Sequence, residues 1–161
     1  MKTRRKKSYF DQVSGAPSPV YVEVKRRVRF NEADPMAIMW HGRYPLLFEE
    51  ASEELGRHCG MSYEEYLEAG LRAPIISLHI DYFQSLFLAE EFTIRASLIW
   101  HDGARINTEF HIFKQDGSLA TSGYTIQLFT DHRTGEPCLV SPEMLERCRS
   151  RWKAGEFQCL P

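Results

Sequence analysis

The chain predicts an α+β fold in which an antiparallel sheet wraps around one amphipathic helix. Three observations carry this. Four apolar–polar alternations follow one another after Arg72, a single helical stripe precedes them, and Asp-Gly pairs punctuate the later strands. A helix with one apolar stripe must bury it on a sheet whose apolar positions share a face.

The elements follow in order. Residues 1–19, MKTRRKKSYFDQVSGAPSP, read as a flexible basic leader ending in a Gly/Pro/Ser linker, and residues 20–161 as a single domain. From Val20, Val22, Val24, Val28 and Phe30 share one parity and Tyr21, Glu23, Lys25, Arg27 and Arg29 the other. That is a half-buried strand, interrupted on its apolar face by Arg26. Leu47, Phe48, Ala51 and Leu55 then recur at helical spacing, with Glu49, Glu50, Glu53 and Glu54 on the other faces and Gly60 as the stop. Ser62-Tyr-Glu-Glu65 reads as a capping box opening a short second helix that ends near Gly70.

Ile76 to Tyr82, Phe92 to Trp100, Ile106 to Ile112 and Ala120 to Leu128 alternate as strands. Asp102-Gly103 and Asp116-Gly117 fall between consecutive runs and predict tight hairpins, so the last three strands form a meander. The closing helix is predicted with Ser141 as N-cap, Pro142 in the first turn, and Met144, Leu145, Cys148 and Trp152 on one side.

Composition excludes several classes. With 43% hydrophobic and 26% charged residues in 161, the chain is that of an ordinary globular domain. The net charge of −2 is uneven, +7 through Arg29 and −9 beyond it. A solvated tail accounts for this more simply than nucleic-acid binding, because the basic run lacks interleaved aromatics beyond Tyr9 and Phe10. No apolar run follows the N-terminal charges or is long enough to span a bilayer, so a cytoplasmic location without membrane attachment is expected. The four cysteines show no CxxC pair and no ligand spacing with the six histidines, so reduced thiols are expected and no metal. There is no phosphate-cradling glycine loop and no GxSxG elbow.

One segment carries chemistry that a loop does not need. Asp34-Pro-Met-Ala-Ile-Met-Trp-His-Gly-Arg-Tyr44 places a carboxylate at the end of the first strand and a histidine and glycine where the main helix begins. Pro35 holds Asp34 extended, which fixes where the carboxylate points. A carboxylate can activate water or attack a carbonyl itself, and the unpaired N–H groups of a helix start stabilise an oxyanion.

This segment, in its strand-to-helix setting, resembles the signature of the 4-hydroxybenzoyl-CoA thioesterase-like family of hot-dog-fold acyl-CoA thioesterases. The resemblance covers roughly residues 20–129, with sharp matching from Asp34 to Ala51. It implies a hot-dog fold, hydrolysis of an acyl-CoA without cofactor, and a homodimer or homotetramer with sites at the interface. It further implies Asp34 as base or nucleophile, His41 with its backbone N–H at the carbonyl, Tyr44 as a further catalytic candidate, and Trp40, Gly42, Met36 and Arg105 in substrate binding. Two positions depart from the family. Met36 and Ala37 stand where glycine is common, so a positive φ there would strain Ala37. Around Trp100–Arg105 only Arg105 offers positive charge for CoA phosphates. An acyl carrier protein substrate, met by the basic leader, and a non-catalytic acyl-binding role therefore stand as alternatives.

Overall fold

The computed structural model describes residues 8–160. The basic residues at positions 2–7 lie outside the described residues. The strands are β1 (Val20–Arg27), β2 (Leu71–Arg72), β3 (Ile75–Tyr82), β4 (Glu91–Ile99), β5 (Arg105–Lys114), β6 (Leu119–Leu128) and β7 (Thr130–Asp131); the helices are α1 (Tyr44–Cys59), α2 (Tyr63–Glu68) and α3 (Glu143–Lys153). Five strands make one antiparallel sheet in the order β1-β4-β5-β6-β3, and β2 pairs with β7. The expected antiparallel sheet around one helix is thus the observed architecture.

Periodicity decides how α1 meets the sheet. Leu47, Phe48, Ala51 and Leu55 are all buried, facing inward residues Ile94, Ala96 and Leu98 of β4 and Phe110 of β5. Phe48 stacks on Phe110, with ring centroids 4.2 Å apart and planes 6° from parallel. This close seat needs Gly123 on β6, where a Cβ would lie 2.8 Å from Phe48 Cε2 and 2.3 Å from the His79 carbonyl oxygen. Arg26 keeps its charge beside the core through Glu32, at 2.8 Å, and Glu50 of α1.

α1 stops at Gly60, whose φ of 72° is the left-handed cap. The capping box holds as well. Ser62 N–H donates to Glu65 Oε2 at 2.7 Å, while Glu65 N–H donates to Ser62 Oγ.

Three expectations are corrected. The cap of α3 is Pro142, and Ser141 Oγ instead accepts a bond from Arg149 Nη1 at 2.8 Å. Arg149 is mostly buried and also donates to the carbonyls of His101 and Gly103, so the hydroxyl serves a guanidinium and not a helix end. The Asp102-Gly103 turn is a five-residue loop between Ile99 and Arg105, because Asp102 Oδ1 accepts from Trp100 Nε1 and His101 Nδ1 from the Gly103 N–H. The Asp116-Gly117 hairpin is also longer than two residues. It spans Gln115–Ser118 with Gly117 at φ 79° and a register shift beside Phe113.

Ser8–Pro19, grouped with the leader on sequence, lies against the sheet's outer face and α3. Tyr9 N–H donates to Glu109 Oε1 at 2.6 Å, its hydroxyl lies 2.6 Å from both Asp81 Oδ2 and Ser122 Oγ, and Trp152 Nε1 donates to the Ser18 carbonyl. At the other end of the chain, Leu160 bonds to Tyr21 and Glu23 and covers the free edge of β1. Among the described residues no helix is long and apolar enough to cross a membrane.

Candidate active site

The segment between β1 and α1 is a short loop pinned at both ends. Asp34 N–H donates to the Ile38 carbonyl and Ala37 N–H returns to the Asp34 carbonyl, at 2.8 and 2.9 Å. Met39 N–H bonds to Leu86 and Leu88 N–H to Ala37, which ties the loop to the chain before β4. Asp34 Oδ1 accepts from Met36 N–H at 2.8 Å, an Asx turn, and Oδ2 has no partner among the described residues. One carboxylate oxygen is therefore fixed and the other is available.

The turn that begins at Asp34 closes at Ala37 with φ 58°. An alanine sits where glycine would be unstrained, which costs on the order of 1–2 kcal/mol.

Asp34 shares a cleft of about 320 Å³ with Met36, Ile38, Met39, His41, Tyr44, Tyr82 and Phe83. The structure thus brings four of the sequence-derived candidates together: Asp34, Met36, His41 and Tyr44. His41–Arg43 is a single 3-10 turn running directly into α1. Neither the His41 nor the Gly42 N–H finds an acceptor among the described residues, and both stand at the positive end of a sixteen-residue helix. The His41 imidazole is exposed and lies against the Trp40 ring at 5.1 Å, while its carbonyl accepts from the Tyr82 hydroxyl at 3.2 Å.

Tyr44 points inward. It is 3% exposed, meets Tyr82 edge-on at 4.9 Å, and burial pushes its phenol up to about 12, partly offset by Thr121 beside it. It stays protonated at neutral pH and packs the helix start.

Trp40 and Gly42 lie outside the cleft's lining. A Cβ at Gly42 would lie 2.3 Å from Trp40 Cζ3, so the glycine is required by the indole folded over it. Arg105 is at the opposite end of the sheet, its Nε donating to Asn107 Oδ1 at 2.9 Å. It does not reach Asp34 within one chain. A feature absent from the sequence reading is a second, apolar cavity of about 80 Å³ between α1 and the sheet, lined by Phe48, Leu55, Met61, Tyr66, Ile75 and Leu78. Thr125 Oγ1 on its wall is buried without a partner. Helical spacing marked Phe48 and Leu55 as core and strand alternation marked Leu78, with nothing to show that they leave a void. No three His, Cys, Asp or Glu side chains among the described residues are grouped to hold a metal ion.

The model of the thioesterase-like superfamily matches residues 28–148, a span that holds the Asp34 loop, α1 and the whole meander. The chain belongs to this thioesterase-like superfamily. Among its relatives, a protein of Aquifex aeolicus whose name proposes an esterase is 29% identical over 125 residues, covering 76% of this chain and 93% of that one. YneP of Bacillus subtilis, whose name proposes an acyl-CoA thioesterase, is 23% identical over 110 residues, 68% of this chain and 80% of that one. Among solved structures, a DHNA-CoA thioesterase of Staphylococcus aureus superposes with a TM-score of 0.74 at 23% identity, over 88% of this chain and 99% of that one. It shares the superfamily fold.

Proposed function

We propose that this thioesterase-like protein hydrolyses acyl-CoA thioesters with Asp34 as the catalytic carboxylate. The observation that carries the reading is the cleft that Asp34, with one unpartnered oxygen, shares with His41, whose N–H is unpaired at the start of α1. The names of its relatives point to the same substrate class.

The chemistry follows from those groups. A water near Asp34 Oδ2 gives up a proton to the carboxylate and attacks the thioester carbon. The carbonyl oxygen gains negative charge and is held by the His41 N–H group and the helix dipole. Collapse breaks the carbon–sulfur bond, and the leaving thiolate recovers the proton from Asp34. Direct attack by the carboxylate gives the same products through an anhydride. His41 contributes its amide, and Tyr44 and Trp40 hold the turn that presents it.

A single chain presents half of this site. Leu160 covers one sheet edge, whereas β3 is an uncovered edge strand with Ile75, Ile76, Leu78 and Tyr82 all exposed. Antiparallel pairing of β3 with a second copy sets the Tyr82 end of one subunit, with its Asp34 cleft, against the Ile75 end of the other. That end carries the apolar cavity and, two strands inward, Arg105. In the proposed dimer the cavity receives the acyl group and Arg105 stands on the side of the bound CoA.

Matched acyl-CoA and acyl carrier protein substrates test the proposal through release of free thiol. Turnover of the CoA series that collapses in Asp34→Asn supports it. Unchanged turnover in that variant, or none by the wild type on either carrier, overturns it. Turnover confined to the carrier protein moves the substrate and keeps the site.

A further inference from the structure

A second cleft, of about 680 Å³, lies where the end of α1, α2 and the start of α3 meet, away from Asp34. Cys59, the last residue of α1, and Cys148, in the second turn of α3, both line it and are both buried free thiols. Each thiol shifts the titration of the other, so the two side chains are neighbours. Arg151 lies one turn beyond Cys148 on the same face. Its Nη1 would stand 3.3 Å from a Cβ at Gly60, so its charge sits over the end of α1 beside Cys59. Glu65, Glu68, Glu143 and Arg147 complete the rim.

We propose that Cys59 and Cys148 are a reversible disulfide site that locks α3 to the end of α1. Two buried thiols that neighbour one another in one cleft, on two different helices, are placed to bond across it. The arrangement also distinguishes the two. The Cys59 thiol, with Arg151 and Arg149 nearby, holds the Cys148 thiol below its ordinary range, while the same pairing and burial push Cys59 up. Cys148 has Arg149 beside it and Arg151 one turn on in its own helix to stabilise a thiolate, so it is the attacking thiol and Cys59 the resolving one.

With a peroxide as oxidant, the Cys148 sulfur attacks one oxygen. A sulfur–oxygen bond forms, the oxygen–oxygen bond breaks, and hydroxide leaves and takes up a proton as water. The Cys59 sulfur then attacks the sulfenic sulfur, the sulfur–sulfur bond forms, and the hydroxyl leaves with the Cys59 proton as a second water. The two thiols lose two electrons in total, which reduce one peroxide. A thiol reductant reverses the change. Both cysteines line this cleft, the side from which a molecule as small as hydrogen peroxide approaches them.

The test uses the full chain with Cys138→Ser and Cys159→Ser, which leaves only the buried pair. Stoichiometric hydrogen peroxide under native conditions is expected to remove both remaining thiols, to yield a single peptide linking positions 59 and 148, and to raise Tm by about 5–10 °C. Dithiothreitol is expected to restore both thiols. In Cys59→Ser the same treatment is expected to stop at a sulfenic acid on Cys148 that dimedone traps. Two intact thiols after treatment, or a linkage that forms only with loss of native circular dichroism, overturn the proposal. Peptide mapping of the oxidised wild-type chain gives the same answer if the substituted chains do not fold. Linkage of Cys59 or Cys148 to Cys138 or Cys159 in that chain overturns it also.

Discussion

At the scale of single residues, the proposed chemistry rests on which oxygen of Asp34 is engaged. Oδ1 is held by Met36 N–H and Oδ2 is not. Asp34→Asn keeps an oxygen that can accept the Met36 bond and removes only the charge. Its fold and Tm are therefore expected to match the wild type, while thioester hydrolysis falls by roughly a hundredfold or more. Steady-state thiol release beside a thermal melt separates the two effects. Three residues on, Ala37 holds φ 58° because its N–H and carbonyl are both committed, to Asp34 and to Leu88. Ala37→Gly relieves about 1–2 kcal/mol of left-handed strain. It gives back about 0.5–1 kcal/mol through the freer unfolded chain. The net gain of about 0.5–1 kcal/mol is read from urea unfolding. The Asp-Pro dipeptide and the departure from glycine at Ala37 were legible in the sequence, and so was the positive φ that the departure put at issue. The reason for Gly42 was not legible. It is Trp40, two residues earlier, whose ring occupies the space a side chain would take.

At the scale of elements, period-2 and period-3.6 patterns located every strand of the main sheet and all three helices, although the apolar positions so marked on β3 lie exposed at the sheet edge. What they missed is where an element is covered on both sides. Asn107 and Glu109 lie on the outer face of β5 yet are buried, because Ser8 and Tyr9 cross that face and bond to Glu109. No local pattern announces a strap contributed from a hundred residues away. The pairing of Cys59 with Cys148 escaped for the same reason. The seat of α1 on the sheet has a direct test in Gly123→Ala. The added methyl meets Phe48 on one side and the His79 carbonyl on the other, and overpacking of this kind is expected to cost about 1–3 kcal/mol.

The loop between β4 and β5 gives a pH dependence. Burial, then the nearby Arg105, hold the His101 imidazole below its ordinary pKa. With the folded value below the unfolded one, the unfolded state binds more protons between the two, so stability rises with pH there. The full contribution is present above about pH 6.5 and declines as pH falls toward the folded value. In His101→Gln the Tm is expected to fall less between pH 7 and pH 5 than in the wild type, measured in one buffer series at constant ionic strength.

At the scale of the whole molecule, the two edges of the sheet are treated differently. β1 carries a parallel bridge from Val22 to Leu160, which engages the Glu23 N–H and the Tyr21 carbonyl. Among the described residues β3 pairs only with β6, and its apolar side chains are exposed: Ile76 is 56% exposed and Leu78 44%. Soluble proteins blunt such edges with charge, proline or a covering segment, and β3 has none of these between Ile75 and Ile80 except His79. The same strand links the two halves of the proposed site, because its Tyr82 end borders the Asp34 cleft and its Ile75 end borders the apolar cavity. Association and catalysis are therefore expected to fail together. Ile76→Asp places a carboxylate on the open edge without touching either cleft's lining, so the isolated subunit is expected to keep its fold. Light scattering is expected to report a dimer for the wild type and a monomer for the variant. Thiol release by the variant is expected to rise steeply with protein concentration as the weakened dimer re-forms. A wild-type monomer that turns over thioester at full rate, or an Ile76→Asp monomer as active as the wild-type dimer, would show that the clefts act alone and that β3 serves some other end.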